Sequence, residues 1–145
     1  MIKPKFINVY MQTAFNFATL STAEKMKVGA IIVKDNRIIS IGINGTPNGW
    51  SNSCEYSVFN TATGNVELTT KPEVLHAESN ALLKLARSHE SALAATLFTT
   101  HSPCINCAKM IYQAGISTVY YSIEYKSTDG IEFLKKCNIN IYQVE

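Results

Sequence analysis

Two short stretches of the sequence carry side chains that can bind one metal ion. The first is His76-Ala77-Glu78 and the second is Pro103-Cys104-Ile105-Asn106-Cys107. One imidazole and two thiolates are a donor set that suits zinc, and zinc with three protein ligands keeps its fourth tetrahedral position for water. Structural zinc sites are commonly closed by four ligands. The pattern therefore predicts a catalytic zinc ion (Zn2+) held by His76, Cys104 and Cys107.

Glu78 is the predicted proton carrier of this site. Water on a catalytic zinc ion can lose a proton near neutral pH. A carboxylate two residues after a ligand, but not itself a ligand, is placed to accept that proton. It can then pass the proton to a ring nitrogen of the substrate, so that it serves as base and acid in turn.

A zinc ion with only a structural role is the alternative interpretation of the same residues. Pro103 and the predicted helix starts beside both stretches favour catalysis. His89 and His101 have no comparable neighbours, and we interpret both as surface or loop histidines. Cys54 has no nearby partner for a second zinc ion, and Cys137 is interpreted as a small buried apolar residue.

The length and composition are those of an ordinary globular protein. We expect residues 1–145 to form a single domain, with 46% hydrophobic and 17% charged residues. The net charge of +2, without a basic run interleaved with aromatics, predicts no nucleic-acid partner, and no apolar stretch predicts a membrane span. Met1–Lys5 lacks the apolar stretch of a secretory signal, so we expect a cytoplasmic location. In that location metal binding, and not a disulfide, is the expected use of the Cys104–Cys107 pair.

Periodicity and turn residues indicate alternating helices and strands. They predict a helix over 5–20, strands over 28–33 and 37–43, a loop over 44–72 with a short strand at 66–69, a helix over 75–88, a strand over 95–100, a helix over 104–114, a strand over 117–123, a helix over 129–136 and a strand over 139–144. A loop as long as 44–72 is usually functional. In the first helix, the apolar residues at helical spacings are Phe6, Val9, Tyr10, Phe17 and Leu20.

This order predicts an α/β fold with three layers, α/β/α. An antiparallel hairpin joins parallel strands in one five-stranded mixed sheet, with helices on both faces. Ligands bind beyond the carboxyl ends of such strands, where His76 and Cys104 begin helices. The partial positive charge of a helix start favours the thiolate of Cys104, and Cys107 follows one turn later on the same face. Tyr120 and Tyr121 are expected to pack on opposite faces of their strand.

The order His-x-Glu followed by Pro-Cys-x-x-Cys is the signature of zinc deaminases, and further stretches narrow the resemblance. From Val28 onward, the chain resembles the deoxycytidylate (dCMP) deaminases of the cytidine deaminase-like superfamily. The zinc signature alone identifies the superfamily, whereas the Asn-Gly-Thr-Pro-x-Gly loop indicates the deoxynucleotide monophosphate enzymes. The matching stretches are 28–33, 42–49, 76–81, 99–109 and 114–116.

The resemblance implies zinc-dependent hydrolysis of dCMP to dUMP and ammonia, which supplies dUMP for dTMP synthesis. It implies that Glu78 moves protons between water, the ring nitrogen N3 and the departing ammonia. Asn44 would hold the sugar hydroxyl, the backbone near Ala77 would bind the base edge, and Ser102 and Tyr125 are candidates for the phosphate end. An amide such as Asn44 can both donate to and accept from a hydroxyl.

The same resemblance implies regulation. Family members are commonly hexamers that dCTP activates and dTTP inhibits, with Mg2+ as a possible companion of a triphosphate effector. Their effector pocket would lie near Lys27, Asn44, Gly45 and Thr46. This chain has Lys25, Met26 and Lys27 where members often carry arginines, and lysine does not bind phosphate bidentately. It also has Leu75 where some members have cysteine.

Two other functions are alternatives to dCMP deamination. A polynucleotide deaminase of the tRNA adenosine type would take a flipped base and should show a basic track beside its pocket. A non-catalytic zinc module would act as an assembly or regulatory partner, although the open ligand position and Glu78 argue against it. The resemblance leaves open whether dCTP is also a substrate.

Overall fold

The computed structural model describes residues 2–145, so Met1, which begins the stretch considered as a secretory signal, lies outside the described residues. This part of the chain contains four helices and seven strands, with four consecutive strands between the first and second helices. The helices are α1 (Pro4–Ala18), α2 (Ala77–Leu85), α3 (Ile105–Gln113) and α4 (Asp129–Lys136). The strands are β1 (Gly29–Lys34), β2 (Arg37–Ile43), β3 (Glu55–Asn60), β4 (Asn65–Thr70), β5 (Thr96–His101), β6 (Thr118–Ile123) and β7 (Asn140–Gln143).

Five of the strands form one mixed sheet in the order β2-β1-β5-β6-β7. Strand β1 is antiparallel to both β2 and β5, whereas β5, β6 and β7 run parallel to one another. The hairpin between β1 and β2 turns at Asp35 and Asn36, whose φ values of 51° and 57° match the left-handed turn that short polar residues tolerate. The predicted five-stranded mixed sheet is confirmed.

Helices cover both faces of this sheet, as predicted. Helix α1 packs on one face through an aromatic cluster in which Phe98 stacks on Tyr120, with ring centroids 4.9 Å apart. Helices α2, α3 and α4 lie on the other face, over a core that includes Leu97, Ile111 and Leu134. Tyr120 is partly buried against the α1 cluster, and its neighbour Tyr121 is buried.

The structure differs from the sequence prediction in several places. The stretch predicted as a loop with one short strand contains a two-stranded hairpin, β3 and β4. Val9 is exposed, because the buried face of α1 is made by Tyr10, Met11, Ala14 and Ala18. Leu20 is also exposed, because the helix ends at Ala18, before the predicted end at residue 20. Cys137 is only half-buried. None of the helices in the described range 2–145 has the length and apolarity needed to cross a membrane.

Two glycines allow the site-bearing segments to approach their neighbours. A Cβ atom at Gly42 in β2 would collide with the carbonyl oxygen of Ala77, at the start of α2. A Cβ atom at Gly130 in α4 would collide with the carbonyl oxygen of Pro103, just before α3. Glycine is needed where two backbones pack this closely. These two contacts hold the starts of α2 and α3 close to the carboxyl end of β5, the central strand of the sheet.

Candidate metal centre and active site

The three predicted metal ligands meet at the starts of two neighbouring helices. His76 and Cys104 both have extended backbones and directly precede α2 and α3, while Cys107 lies in the first turn of α3. The imidazole nitrogen and the two sulfur atoms all lie within 4.8 Å of one another. Within residues 2–145, this is the group of side chains identified as able to hold a metal ion.

The distances between the donor atoms fit zinc. His76 Nδ1 lies 3.5 Å from Cys104 Sγ and 3.3 Å from Cys107 Sγ. Zinc–nitrogen bonds of about 2.0 Å and zinc–sulfur bonds of about 2.3 Å, at tetrahedral angles, separate nitrogen from sulfur by roughly 3.5 Å. The donor set therefore matches three corners of a zinc tetrahedron, with Nδ1 as the nitrogen donor.

Hydrogen bonds among the three ligand side chains shift their pKa values in different directions. Hydrogen bonds from Cys107 and from His76 lower the pKa of Cys104 to about 3. The hydrogen bond with Cys104, together with burial, raises the pKa of Cys107. The hydrogen bond with Cys104 also raises the pKa of His76. Cys104 is thus a thiolate at neutral pH, which is the form that binds metals.

Glu78 lies in the first turn of α2 with its side chain turned into the protein. The residue is 4% exposed, and its Oε1 accepts a 2.7 Å hydrogen bond from the Thr99 hydroxyl. Burial raises the pKa of Glu78, although the Thr99 hydrogen bond opposes the increase. A carboxyl group whose pKa is moved toward neutrality suits proton exchange near physiological pH.

Local hydrogen bonds fix the segment that carries His76 and Glu78. The backbones of Gly45 and Leu75 form an isolated bridge, with Leu75 N–H donating to the Gly45 carbonyl at 2.7 Å. The Asn80 side chain donates to the carbonyl of Ile43 at 2.7 Å. One of these contacts fixes the residue just before His76, and the other fixes α2 itself to the last residue of β2, so together they set the direction of the first turn of α2.

A cavity of about 160 Å³ opens beside these groups. His76, Glu78 and Cys104 line it, so the metal ligands and the candidate proton carrier face one space. The cavity is also lined by all four residues that the sequence analysis assigned to substrate, namely Asn44, Ala77, Ser102 and Tyr125.

The side chain of Asn44 already makes two hydrogen bonds to the protein backbone. Its Oδ1 accepts from Val28 N–H at 2.9 Å, and its Nδ2 donates to the Met26 carbonyl at 2.7 Å. An amide group has two N–H bonds and two acceptor positions, so one donor and one acceptor position remain for a ligand. Ser102 is buried, and its hydroxyl oxygen accepts from Tyr125 N–H at 2.7 Å.

A second, more open depression of about 600 Å³ adjoins the first. Asn44, Gly45 and Thr46 line it, together with Lys84 and Arg87 of α2. Lys27, the fourth residue predicted for an effector pocket, is exposed and lines neither of these two cavities. Asn44 borders both cavities and so separates them.

The sequence analysis gave no active-site role to four residues with polar or charged side chains that line the first cavity, namely His101, Glu55, Lys25 and Lys126. It interpreted His101 as a surface or loop histidine, whereas the structure places it half-buried at the end of a strand. His101 ends β5, and the rule that ligands bind beyond strand ends could have drawn attention to it. Glu55 begins a strand that was not predicted, and its Oε1 accepts the backbone N–H groups of Glu24 and Lys25. No periodic signal marks Lys25 or Lys126.

Cys54 is buried in a small cluster with Ala23 and Val74. Its Sγ lies 3.6 Å from the Thr22 hydroxyl and from the Asn52 carbonyl oxygen. The other histidine without an assigned role, His89, is exposed. Both residues lie outside the lining of the two cavities.

Comparisons with known proteins agree with this geometry. Among solved structures, the dCMP deaminase of cyanophage S-TIM5 in complex with dCMP and dUMP superposes with a TM-score of 0.88 and 45% sequence identity, covering 99% of this chain and 100% of that one. ComE operon protein 2 of Bacillus subtilis is 34% identical over 94% of this chain and 69% of its own length. The deoxycytidylate deaminase of enterobacteria phage T4 is 32% identical over 92% of this chain and 87% of its own.

A family model supports the same assignment. The model described as the cytidine and deoxycytidylate deaminase zinc-binding region matches residues 4–123, which include His76, Glu78, Cys104 and Cys107. The match thus spans α1 through β6 and the complete ligand set. The chain belongs to the cytidine and deoxycytidylate deaminase family of zinc enzymes.

Proposed function

We propose that this protein hydrolyses dCMP to dUMP and ammonia and thereby supplies dUMP for dTMP synthesis. The observation that carries the proposal is one cavity lined by the metal-ligand cluster, by the buried carboxyl of Glu78 and by two lysines, Lys25 and Lys126. A proton carrier beside a metal suits deamination of the base, and the lysines suit a phosphate. The 45% identity to a deaminase whose structure contains dCMP and dUMP supports this substrate.

His76, Cys104 and Cys107 would hold the zinc ion, consistent with the donor distances. When bound, zinc supplies Lewis acidity that lowers the pKa of water. Glu78 would accept the first proton of the attacking water and deliver it to N3 of the pyrimidine, and would then carry the second proton of the same water to the departing amino group. One water enters and one ammonia leaves, so the carboxyl returns to its starting state. Thr99 keeps Oε1 in place by its 2.7 Å hydrogen bond.

The remaining cavity residues would bind the rest of the nucleotide. The free donor and acceptor of Asn44 suit the sugar hydroxyl, and the backbone at Ala77 lies beside the metal ligand His76, where the base must sit. Ser102 and Tyr125 are coupled by a hydrogen bond and adjoin Lys126, which suits the phosphate end.

The second depression suits an effector nucleotide, with dCTP as activator and dTTP as inhibitor. Its lining combines Asn44, Gly45 and Thr46 with the cationic side chains of Lys84 and Arg87. Mg2+ would accompany a triphosphate there, because it prefers phosphate oxygens. Asn44 borders both cavities, so occupancy of one can alter the hydrogen bonding of a residue that serves the other.

A hexamer is the proposed assembly. The β3–β4 hairpin exposes apolar side chains that subunit contacts would cover, among them Tyr56, Phe59 and Val66. Sedimentation of the purified protein with and without dCTP measures this directly. A monomer under both conditions would contradict the proposed assembly.

The proposed activity is tested by measuring ammonia release from dCMP, dCTP, cytidine and a tRNA anticodon stem, each with and without dTTP. We expect turnover of dCMP well above turnover of cytidine, and loss of activity when zinc is removed by a chelator. Equal rates on dCMP and cytidine would show that the phosphate is not read. Turnover of the tRNA stem but not of dCMP would replace the proposal by polynucleotide deamination, and unchanged rates with dTTP would remove its proposed regulation.

A further inference from the structure

His101 lines the active-site cavity but has no role in the function proposed above. It is the last residue of β5, and its side chain is half-buried. Ser102, Tyr125 and Lys126 line the same cavity and are joined to this end of β5, because the Ser102 backbone N–H donates to the Ile123 carbonyl at 2.8 Å. These four residues form what we call the β5–β6 wall.

A buried hydrogen-bond relay determines which nitrogen of the His101 ring carries a proton. The Gly29 backbone N–H donates to Thr100 Oγ1 at 3.2 Å, and Thr100 Oγ1 lies 2.9 Å from His101 Nδ1. Thr100 is fully buried, so its hydroxyl proton needs an acceptor, and Nδ1 is the acceptor within reach. With Nδ1 accepting, a neutral ring must carry its proton on Nε2.

These hydrogen bonds therefore keep the His101 ring in a fixed orientation, as a neutral imidazole that can donate from Nε2–H. Burial lowers the pKa of His101, which agrees with a neutral ring at physiological pH. The Nδ1 side is occupied by Thr100, so Nε2–H is the polar group left for a cavity ligand.

The rest of the β5–β6 wall indicates an acceptor-rich ligand group. Ser102 Oγ accepts from Tyr125 N–H and keeps its own proton for donation, and Lys126 adds an ammonium group. The carboxylates that line the cavity, Glu55 and Glu78, belong to β3 and α2 and lie outside this wall. A set of donors without a carboxylate suits phosphate oxygens, which only accept hydrogen bonds.

We propose that His101 is a specificity-determining residue that donates Nε2–H to the phosphate of the nucleotide substrate, with Thr100 as its positioning residue. This inference rests on the proposed dCMP deaminase function. It assigns His101 to selection of a nucleotide over a nucleoside and not to the chemistry of the base.

The test compares His101→Leu, which removes both ring nitrogens, with His101→Gln, whose side-chain amide can place an N–H near the Nε2 position. We expect His101→Leu to lower kcat/KM for dCMP about tenfold or more, the usual effect of losing a hydrogen bond to a charged group. Deoxycytidine turnover should change by less than about twofold, and His101→Gln should recover most of the loss. His89→Leu, at an exposed histidine away from both cavities, is the matched control.

Inhibition by the product gives a second readout that does not need turnover of the nucleoside. We expect His101→Leu to weaken inhibition by dUMP and to leave inhibition by deoxyuridine unchanged. Equal losses with and without the phosphate, or no loss at all, would overturn the assignment. If wild-type protein fails to deaminate dCMP, the proposed function itself is wrong, which is a distinct result from a wild-type enzyme with an unselective His101 variant.

The relay is tested separately by nitrogen-15 NMR of the imidazole rings. We expect the His101 ring of the wild-type protein to show protonated Nε2 and unprotonated Nδ1 at neutral pH. Thr100→Ser should keep this tautomer, whereas Thr100→Val should lose it and lower kcat/KM for dCMP. A wild-type ring protonated on Nδ1 alone would contradict the relay.

Discussion

At the scale of single residues, the site depends on a carboxyl group placed where carboxylates are rarely found. Glu78 is almost fully buried, and its hydrogen-bond partner is a neutral hydroxyl and not a cation. Burial of an ionised group without a charged partner costs free energy, so the pKa of Glu78 is raised. The residue that the proposed chemistry needs is therefore one that destabilises the folded chain at neutral pH.

This cost predicts how stability responds to Glu78→Gln in zinc-free protein. Because the folded state holds the Glu78 proton more tightly than the unfolded state, wild-type stability falls as pH rises above the ordinary glutamate pKa of about 4.3. Gln cannot ionise, and Thr99 can still donate to its oxygen. We expect a higher urea midpoint for Glu78→Gln than for wild type at pH 8, and a smaller difference toward pH 4.

Glu132→Gln, at an exposed position of α4, is the control. Its urea midpoint should stay close to that of wild type both at pH 8 and at pH 4. A Glu78→Gln protein less stable than wild type at pH 8 would show that the carboxylate is stabilised by its surroundings. The stability argument would then be wrong, although the catalytic role would not be tested by that result.

At the scale of elements, the site is made by two helix starts held against the sheet. The sequence predicted both helices, with starts at residues 75 and 104 where the structure has Ala77 and Ile105. Apolar periodicity and the ligand spacing indicated both helices, and Pro103 also marked the start of α3. It did not predict β3, since the hairpin of β3 and β4 is largely exposed on both faces and shows no clean alternation of buried and exposed residues. Propensity alone is a weak guide to such strands.

The close approach of α2 to β2 predicts a specific cost for Gly42→Ala. A Cβ atom at this position would collide with the Ala77 carbonyl, so α2 must shift and move His76 with it. We expect a loss of about 1–3 kcal/mol in the free energy of unfolding, the usual cost of overpacking, together with weaker zinc binding. Urea unfolding and zinc retention after dialysis measure the two effects.

Gly45→Ala is the matched control for stability, because an added Cβ there meets no atom within 4 Å. Its unfolding free energy should stay within about 0.5 kcal/mol of wild type. Equal stabilities for the Gly42 and Gly45 variants would show that α2 moves freely against β2.

At the scale of the whole molecule, the fold class and family predicted from the sequence are confirmed. The sequence spacing predicted that Cys104 and Cys107 lie on one face of a helix. His76 lies 28 residues before Cys104, and it meets the two cysteines only because of how the strands pair in the sheet. The same strand pairing brings His101 and Lys126 to the cavity. No local sequence pattern predicts that these two residues lie close together. Substrate and effector roles for individual residues stay predictions, as does the single-domain organisation.

The most direct measurement of the central claim is ammonia release from dCMP by wild type and Glu78→Gln, with zinc content determined on the same samples. We predict one zinc ion per chain in both proteins, one ammonia per dUMP from wild type, and a loss of at least about 10²-fold in the variant. Undiminished ammonia release from a zinc-loaded Glu78→Gln protein would contradict the account.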